Sequence, residues 1–278
     1  MTISGRNYFF KAGIGISIAL LIGIAASALS TLPLFPSLVA QASLRSTGLV
    51  DNIFIHPYIP PAFPVPLITI LASIAYAICS LSLIYYFFEK TQSPEILFVA
   101  FFSFSLAFES LRIMVPLQAA KELPGVMLLI NYRILIFGRC FGIYSLFFAS
   151  VCASGLEIQR YSTIILIIAA AAFGIALWIP MEGLSWDSTM NLVSGYQSLM
   201  RLVEGGIAFI TMLSFLIAAY SRGTREYMII GLGSLLASIG RALLINADTW
   251  ITPFPGLAIL ALGTWFIGKE LHRVYMWL

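Results

Sequence analysis

The segment NYRILIFGRC, residues 131–140, sets Asn131, Arg133 and Arg139 into a run that otherwise reads as the middle of a membrane span. An arginine at the centre of a bilayer costs ~2.5–3.5 kcal/mol on insertion scales, so each marks a place that must supply a partner, a wet cavity or a ligand. Arg112, Arg201 and Arg241, with the acids Glu109 and Glu204, also fall inside apolar runs. A guanidinium presents a planar fork of donors that matches carboxylate and phosphate oxygens, so this set points to recognition of an anion or a lipid head group. Glu109 and Arg112 in FESLR, and Arg201 and Glu204 in RLVEG, are three residues apart, which puts each pair on one side of a helix as orienting partners. Five arginines less two acids leave three positive charges for backbone carbonyls, Asn131, Asn246, water or a bound anion.

The elements that must position these residues follow from composition. With 60% hydrophobic residues, 10% charged residues and a mean hydropathy of +0.97, the chain lies far from the globular norm of about 25% charged residues. It reads as an all-α integral membrane protein. Apolar stretches near 12–29, 67–88, 96–117, 126–151, 163–178, 196–220, 227–246 and 256–268 are candidates to cross a hydrocarbon core of about 30 Å, so the expected fold is a polytopic bundle of eight transmembrane helices. Residues 1–278 are expected to form one transmembrane domain, with no attached soluble module for output.

The basic residues orient the bundle. With the N-terminus inside, Arg6, Lys11, Lys90, Arg160, Arg222, Arg225, Lys269 and Arg273 are cytoplasmic, whereas only Arg45 and Lys121 lie in outer loops. Both termini are then cytoplasmic, and the acids Asp51, Glu122, Glu182, Asp187 and Asp248 face outward. A second reading of the first span stands beside this one: Arg6 and Lys11 precede a short apolar run ending in AASALS, which fits a cleaved signal and would leave seven spans. The connection 31–66 holds IHPYIPPAFPVP, which proline bars from a long helix, and is expected to lie extended as an extracytoplasmic loop.

On this topology Arg112, Arg133, Arg201 and Arg241 cluster in the outer half of the membrane. Arg139 lies about thirteen residues into its span, or ~20 Å deep, and must face the bundle interior. Arg133 and Arg139 are about 120° apart on their helix and should engage different neighbours. The glycines of GRCFG, 138 and 142, favour a close helix crossing there. SLAFESLR at 105–112 and SLLASIGR at 234–241 share a serine, a leucine and the final arginine, a faint internal repeat. No span carries a central proline or reads as broken.

Enzymatic signatures are missing: there is no HExxH, G-x-S-x-G or P-loop, and His56 and His272 lie away from the arginines. Cys79, Cys140 and Cys152 have no paired spacing, so neither a disulfide framework, a metal site nor a cofactor is expected, and no catalytic residue is assigned.

The hairpin YYFFEKTQSPEILFVAFFSFSLAFESLR, 85–112, resembles multi-spanning membrane proteins of spirochaetes and is more distantly similar to the seven-span sensory modules of bacterial receptors. That resemblance implies a sensory role and assigns no residues; a bacterial cytoplasmic (inner) membrane is the expected location, and any output is expected to pass through a protein partner or through transport. The expected function is an outward-facing arginine cavity, built by Arg139, Arg133, Arg112, Arg201, Arg241, Glu109, Glu204 and Asn131, that binds an anionic ligand for sensing or within a membrane complex. The alternative is an anion or lipid-headgroup transporter. Expected partners are membrane lipids, an anionic small molecule or head group, and a signalling protein, with no nucleic acid.

Overall fold

The computed structural model describes residues 3–31, 64–89, 91, 93–121, 124–155 and 161–276. The proline-rich loop 31–66 and His56 fall almost wholly outside the described residues; only Thr31 and 64–66, the last at the head of the second helix, fall inside.

Long apolar runs without interior water must satisfy their backbone internally, and helices are the outcome. The chain forms α1 (Ile3–Thr31), α2 (Pro64–Phe88), α3 (Pro94–Ser105), a 3-10 stretch (Leu106–Ile113), α4 (Met114–Lys121), α5 (Gly125–Ala153), α6 (Tyr161–Trp178), a short hairpin of β1 (Met181–Trp186) and β2 (Leu192–Ser194), then α7 (Gln197–Arg222), α8 (Glu226–Ile245) and α9 (Pro253–Met276). Among the described residues, seven helical segments are long and apolar enough to cross a membrane, counting α3, the 3-10 stretch and α4 as one; α6 is a shorter apolar helix. The protein is an all-α multi-pass membrane protein, with one short β-hairpin.

The third span departs from the unbroken helix that the sequence suggests. Its central 3-10 stretch, LAFESLRI, is eight residues long, beyond the usual three or four, and carries both Glu109 and Arg112. This span is also the most enclosed of the seven, and its phenylalanines pack inward rather than toward lipid: Phe98 and Phe102 are fully buried, and Phe101 meets Phe9 and Phe141 edge-on.

Contacts at the two ends fix the antiparallel stacking. At one end Arg6 of α1 donates to the carbonyls of Phe88 and Glu89 (2.8 Å each) and of Thr91, while the Tyr275 hydroxyl of α9 donates to Glu95 (2.6 Å). At the other end Arg133 of α5 reaches the end of α6, and the hairpin folds over the bundle. The described ends of α1 and α9 therefore share a face, opposite the hairpin. Small residues set the tightest crossing, between α8 and α9: a Cβ added at Gly240 or Gly263 would strike the partner helix's backbone at Leu260 or Ala237.

Candidate functional site

The sequence places Arg139 on the inner face of α5, and the third span supplies what it needs. Arg139 Nε and Nη2 donate to the two oxygens of Glu109 at 2.8 and 2.7 Å, a forked pairing that is the strongest geometry available to the two groups. Arg112 Nη1 lies 3.6 Å from the same carboxylate. In a 3-10 helix residues i and i+3 stand nearly in register, so the local geometry holds Glu109 between the two arginines. Gly142 and Gly138 let this happen: an added Cβ would collide with Ser105 at the first and with Phe108, on the 3-10 stretch itself, at the second. The close crossing read from GRCFG is what brings Glu109 to Arg139.

The hairpin turn DSTMN closes the cluster. Asp187 Oδ1 accepts from Thr189 N (3.0 Å), Thr189 Oγ1 (2.7 Å) and Asn191 N (2.8 Å), an Asx-type turn in which the side chain replaces backbone partners. So fastened, the turn offers Asn191 Oδ1 to Arg139 Nη2 at 2.8 Å and the Thr189 carbonyl to Arg112 Nη2. Met190 at its tip has a left-handed φ of 60°. Left-handed backbone costs a non-glycine residue about 1–2 kcal/mol, and the Met190 side chain offsets it by full burial against Ile24, Ile70, Ile74 and Ile113. The turn is thus a buried plug, not an exposed loop tip.

Arg241 completes the interior group. It is 2% exposed, lies over the Phe102 ring at 5.9 Å and donates Nη2 to the Arg139 carbonyl at 2.9 Å, leaving Nε and Nη1 without a hydrogen-bond partner among the described residues. Beside these residues is a cavity of about 80 Å³ between α5, α7 and the hairpin, room for several waters or one phosphate-sized group. Arg139, Arg201, Glu204, Asp187, Asn191 and Asn246 are on its wall. Arg139 is the hinge between cluster and cavity: Nε and Nη2 are engaged, whereas Nη1 makes no hydrogen bond among the described residues and the side chain keeps 12% of its surface exposed.

The arginines read from the sequence therefore divide. Arg139, Arg112, Arg241 and Glu109 form the buried cluster, and Arg201 with Glu204 lines the cavity from the first turns of α7. Arg133 is placed elsewhere: it donates to the Ala176 and Leu177 carbonyls at 2.9 and 2.6 Å, capping the C-terminus of α6, where a cation is favoured. Asn131 likewise donates to the Leu111 carbonyl at 2.7 Å and ties α5 to the 3-10 stretch.

The charge balance also differs from the count of three unmatched cations. Asp187, assigned from the sequence to an outer loop, descends on the hairpin to within electrostatic reach of Arg112, and Asp248 is fully buried with its Oδ2 accepting from Ser188 at 3.2 Å. Loop acids thus join the two helix acids beside charges that the sequence reading left to backbone carbonyls, Asn131, Asn246, water or a bound anion. Asp187 and Asn191 were missed as site residues because the sequence gives no depth for a loop; the one available signal was DSTMN itself, an acid followed by small polar residues in an Asx-turn pattern.

No protein-family model matches the chain, and no curated protein or solved structure matches it.

Proposed function

We propose that this chain is a protein of a bacterial cytoplasmic membrane, with eight spans and both ends cytoplasmic, whose outward-facing cavity binds a ligand through an anionic group, for sensing or as a subunit of a membrane complex. One observation carries the reading: Arg139 is locked in place by Glu109 and Asn191 yet keeps Nη1 for the cavity wall that it shares with Arg201. Two of the neighbouring acids are largely spent, since both Glu109 oxygens serve Arg139 and Asp187 Oδ1 accepts three bonds, while Glu204 shares the cavity wall. A preorganised donor beside an exposed arginine is what an incoming carboxylate or phosphate needs. The eighth span is α6, whose 18 residues extend about 27 Å at ~1.5 Å per residue. The basic residues at the terminal face support the inward placement of both ends.

The test is thermal unfolding in nanodiscs against inorganic phosphate and a panel of small carboxylates, for the wild type and Arg201→Gln. Arg201 is exposed on α7, so its loss leaves the buried cluster in place. An anion that raises the wild-type Tm and leaves the variant unmoved supports the reading; no response from any anion sinks it.

A second reading, an anion or lipid-headgroup permease, is favoured by the 3-10 interruption of the third span beside the site, because broken spans are where transporters place substrate contacts. Uptake of the stabilising anion into proteoliposomes separates permease from sensor.

A further inference from the structure

A second cavity lies farther along the same two helices. It occupies about 270 Å³ and is walled by Tyr144, Phe147 and Phe148 of α5, Ile168 and Ala171 of α6, and Ile207 of α7, with no polar surface exposed to it. Its origin is topological: α6 and α7 each pack on α5, while the hairpin that joins them carries them apart, so a cleft opens between them along α5. The arginine cavity uses Arg139 and Cys140 on α5 and Arg201 and Glu204 on α7; the apolar cleft begins at Tyr144 and Ile207, about one helical turn deeper on each. A charged end near the hairpin face and an apolar end toward the middle of the bundle therefore share one seam, and Ile167 and Ile210 at its edge are each 52% exposed on the helix surface that faces lipid.

Resting on the anion reading of the polar cavity, we infer that its ligand is an amphiphile: a lipid whose phosphate or carboxylate head meets Arg139 and Arg201 and whose acyl chain lies in the cleft between α6 and α7. Charge complementarity selects the head, and the all-apolar wall selects the tail. A free anion would leave the cleft to bulk lipid and gain nothing from it. Glu204, at the junction of the two cavities, sets a further condition, because its carboxylate opposes an anionic head placed too deep; the head must sit toward Arg201.

The experiment uses the full chain in a non-ionic detergent, with binding followed by native mass spectrometry and thermal unfolding. The probes are oleoyl lysophosphatidic acid, which has head and chain, glycerol 3-phosphate, which has the head alone, and monooleoylglycerol, which has the chain alone. Lysophosphatidic acid is expected to bind about tenfold or more tighter than either fragment probe, since acyl burial and charge act together. Ala171→Trp, at an exposed position on α6, fills the cleft and should bring lysophosphatidic acid down to the level of glycerol 3-phosphate, while Arg201→Gln weakens both phosphates. Ile207→Trp fills the cleft from the facing helix and repeats the test should the first variant fold poorly. Glycerol 3-phosphate binding as tightly as lysophosphatidic acid, or lysophosphatidic acid binding that ignores both tryptophans, overturns the amphiphile and leaves the anion site standing. Monooleoylglycerol binding as tightly as lysophosphatidic acid, with Arg201→Gln without effect, overturns the amphiphile and the anion site together, as does no binding by any probe.

Discussion

Two spans of this protein bury an arginine at the end of a similar octapeptide, SLAFESLR in the third span and SLLASIGR in α8, and they treat it differently. In the third span the helix tightens to 3-10, Glu109 stands over Arg112, and the guanidinium also reaches the Thr189 carbonyl. In α8 the helix stays α-helical, the position matching Glu109 is Ser238, and Ser238 spends its hydroxyl on the Ser234 carbonyl at 2.9 Å. Among the described residues Arg241 has one hydrogen bond, to the backbone of Arg139, and two nitrogens without a hydrogen-bond partner. Both arginines are 2% exposed. Burial alone does not say whether a charge is held by a network or merely enclosed; the acid one turn away does.

Removing that acid gives the largest expected effect. Glu109→Gln strips the carboxylate from Arg139 and Arg112 together and leaves two buried cations, a loss of about 3–5 kcal/mol or failure to fold, read by unfolding in detergent. A variant that unfolds at the wild-type temperature would mean that the hairpin carbonyls and Asn191 suffice for both arginines. Next in size is the contrast between Arg112→Met and Arg241→Met. The first orphans a side of Glu109 and a turn carbonyl and should destabilise by about 2–3 kcal/mol, whereas the second removes an under-bonded charge and should be near neutral or stabilising. Equal losses from the two would erase the distinction between the spans. The smallest effect is a transplant: Ser238→Glu places an acid three residues before Arg241 and should stabilise by about 0.5 kcal/mol or more, the gain vanishing in the Arg241→Met background of a double-mutant cycle. Additive behaviour would show that the two side chains do not meet.

The bundle was readable from composition and span length because apolar backbone in a membrane has few alternatives to helix. Arg139 was readable as interior because its depth leaves no route for snorkelling. Arg133 shows where such reasoning stops: its partner, the end of α6, was not in the sequence, because a helix C-terminus acts through carbonyls that every residue carries. The pairing of Glu109 was half legible. Its i+3 partner Arg112 was visible from spacing, whereas its shorter contact, with Arg139, joins two helices whose rotation the sequence leaves open.

What the sequence by itself determined is the solvent: a chain with so few charges and such long apolar runs must build helices that cross a membrane, and an arginine as far into its span as Arg139 must turn inward. What only the tertiary structure decided is which charges meet. The hairpin turn that carries Asp187 and Asn191 into the bundle, and the cleft left between α6 and α7, depend on where helices stand relative to one another. Electrostatic and packing energies there vary with distances of a few ångströms, and residue order does not specify those distances.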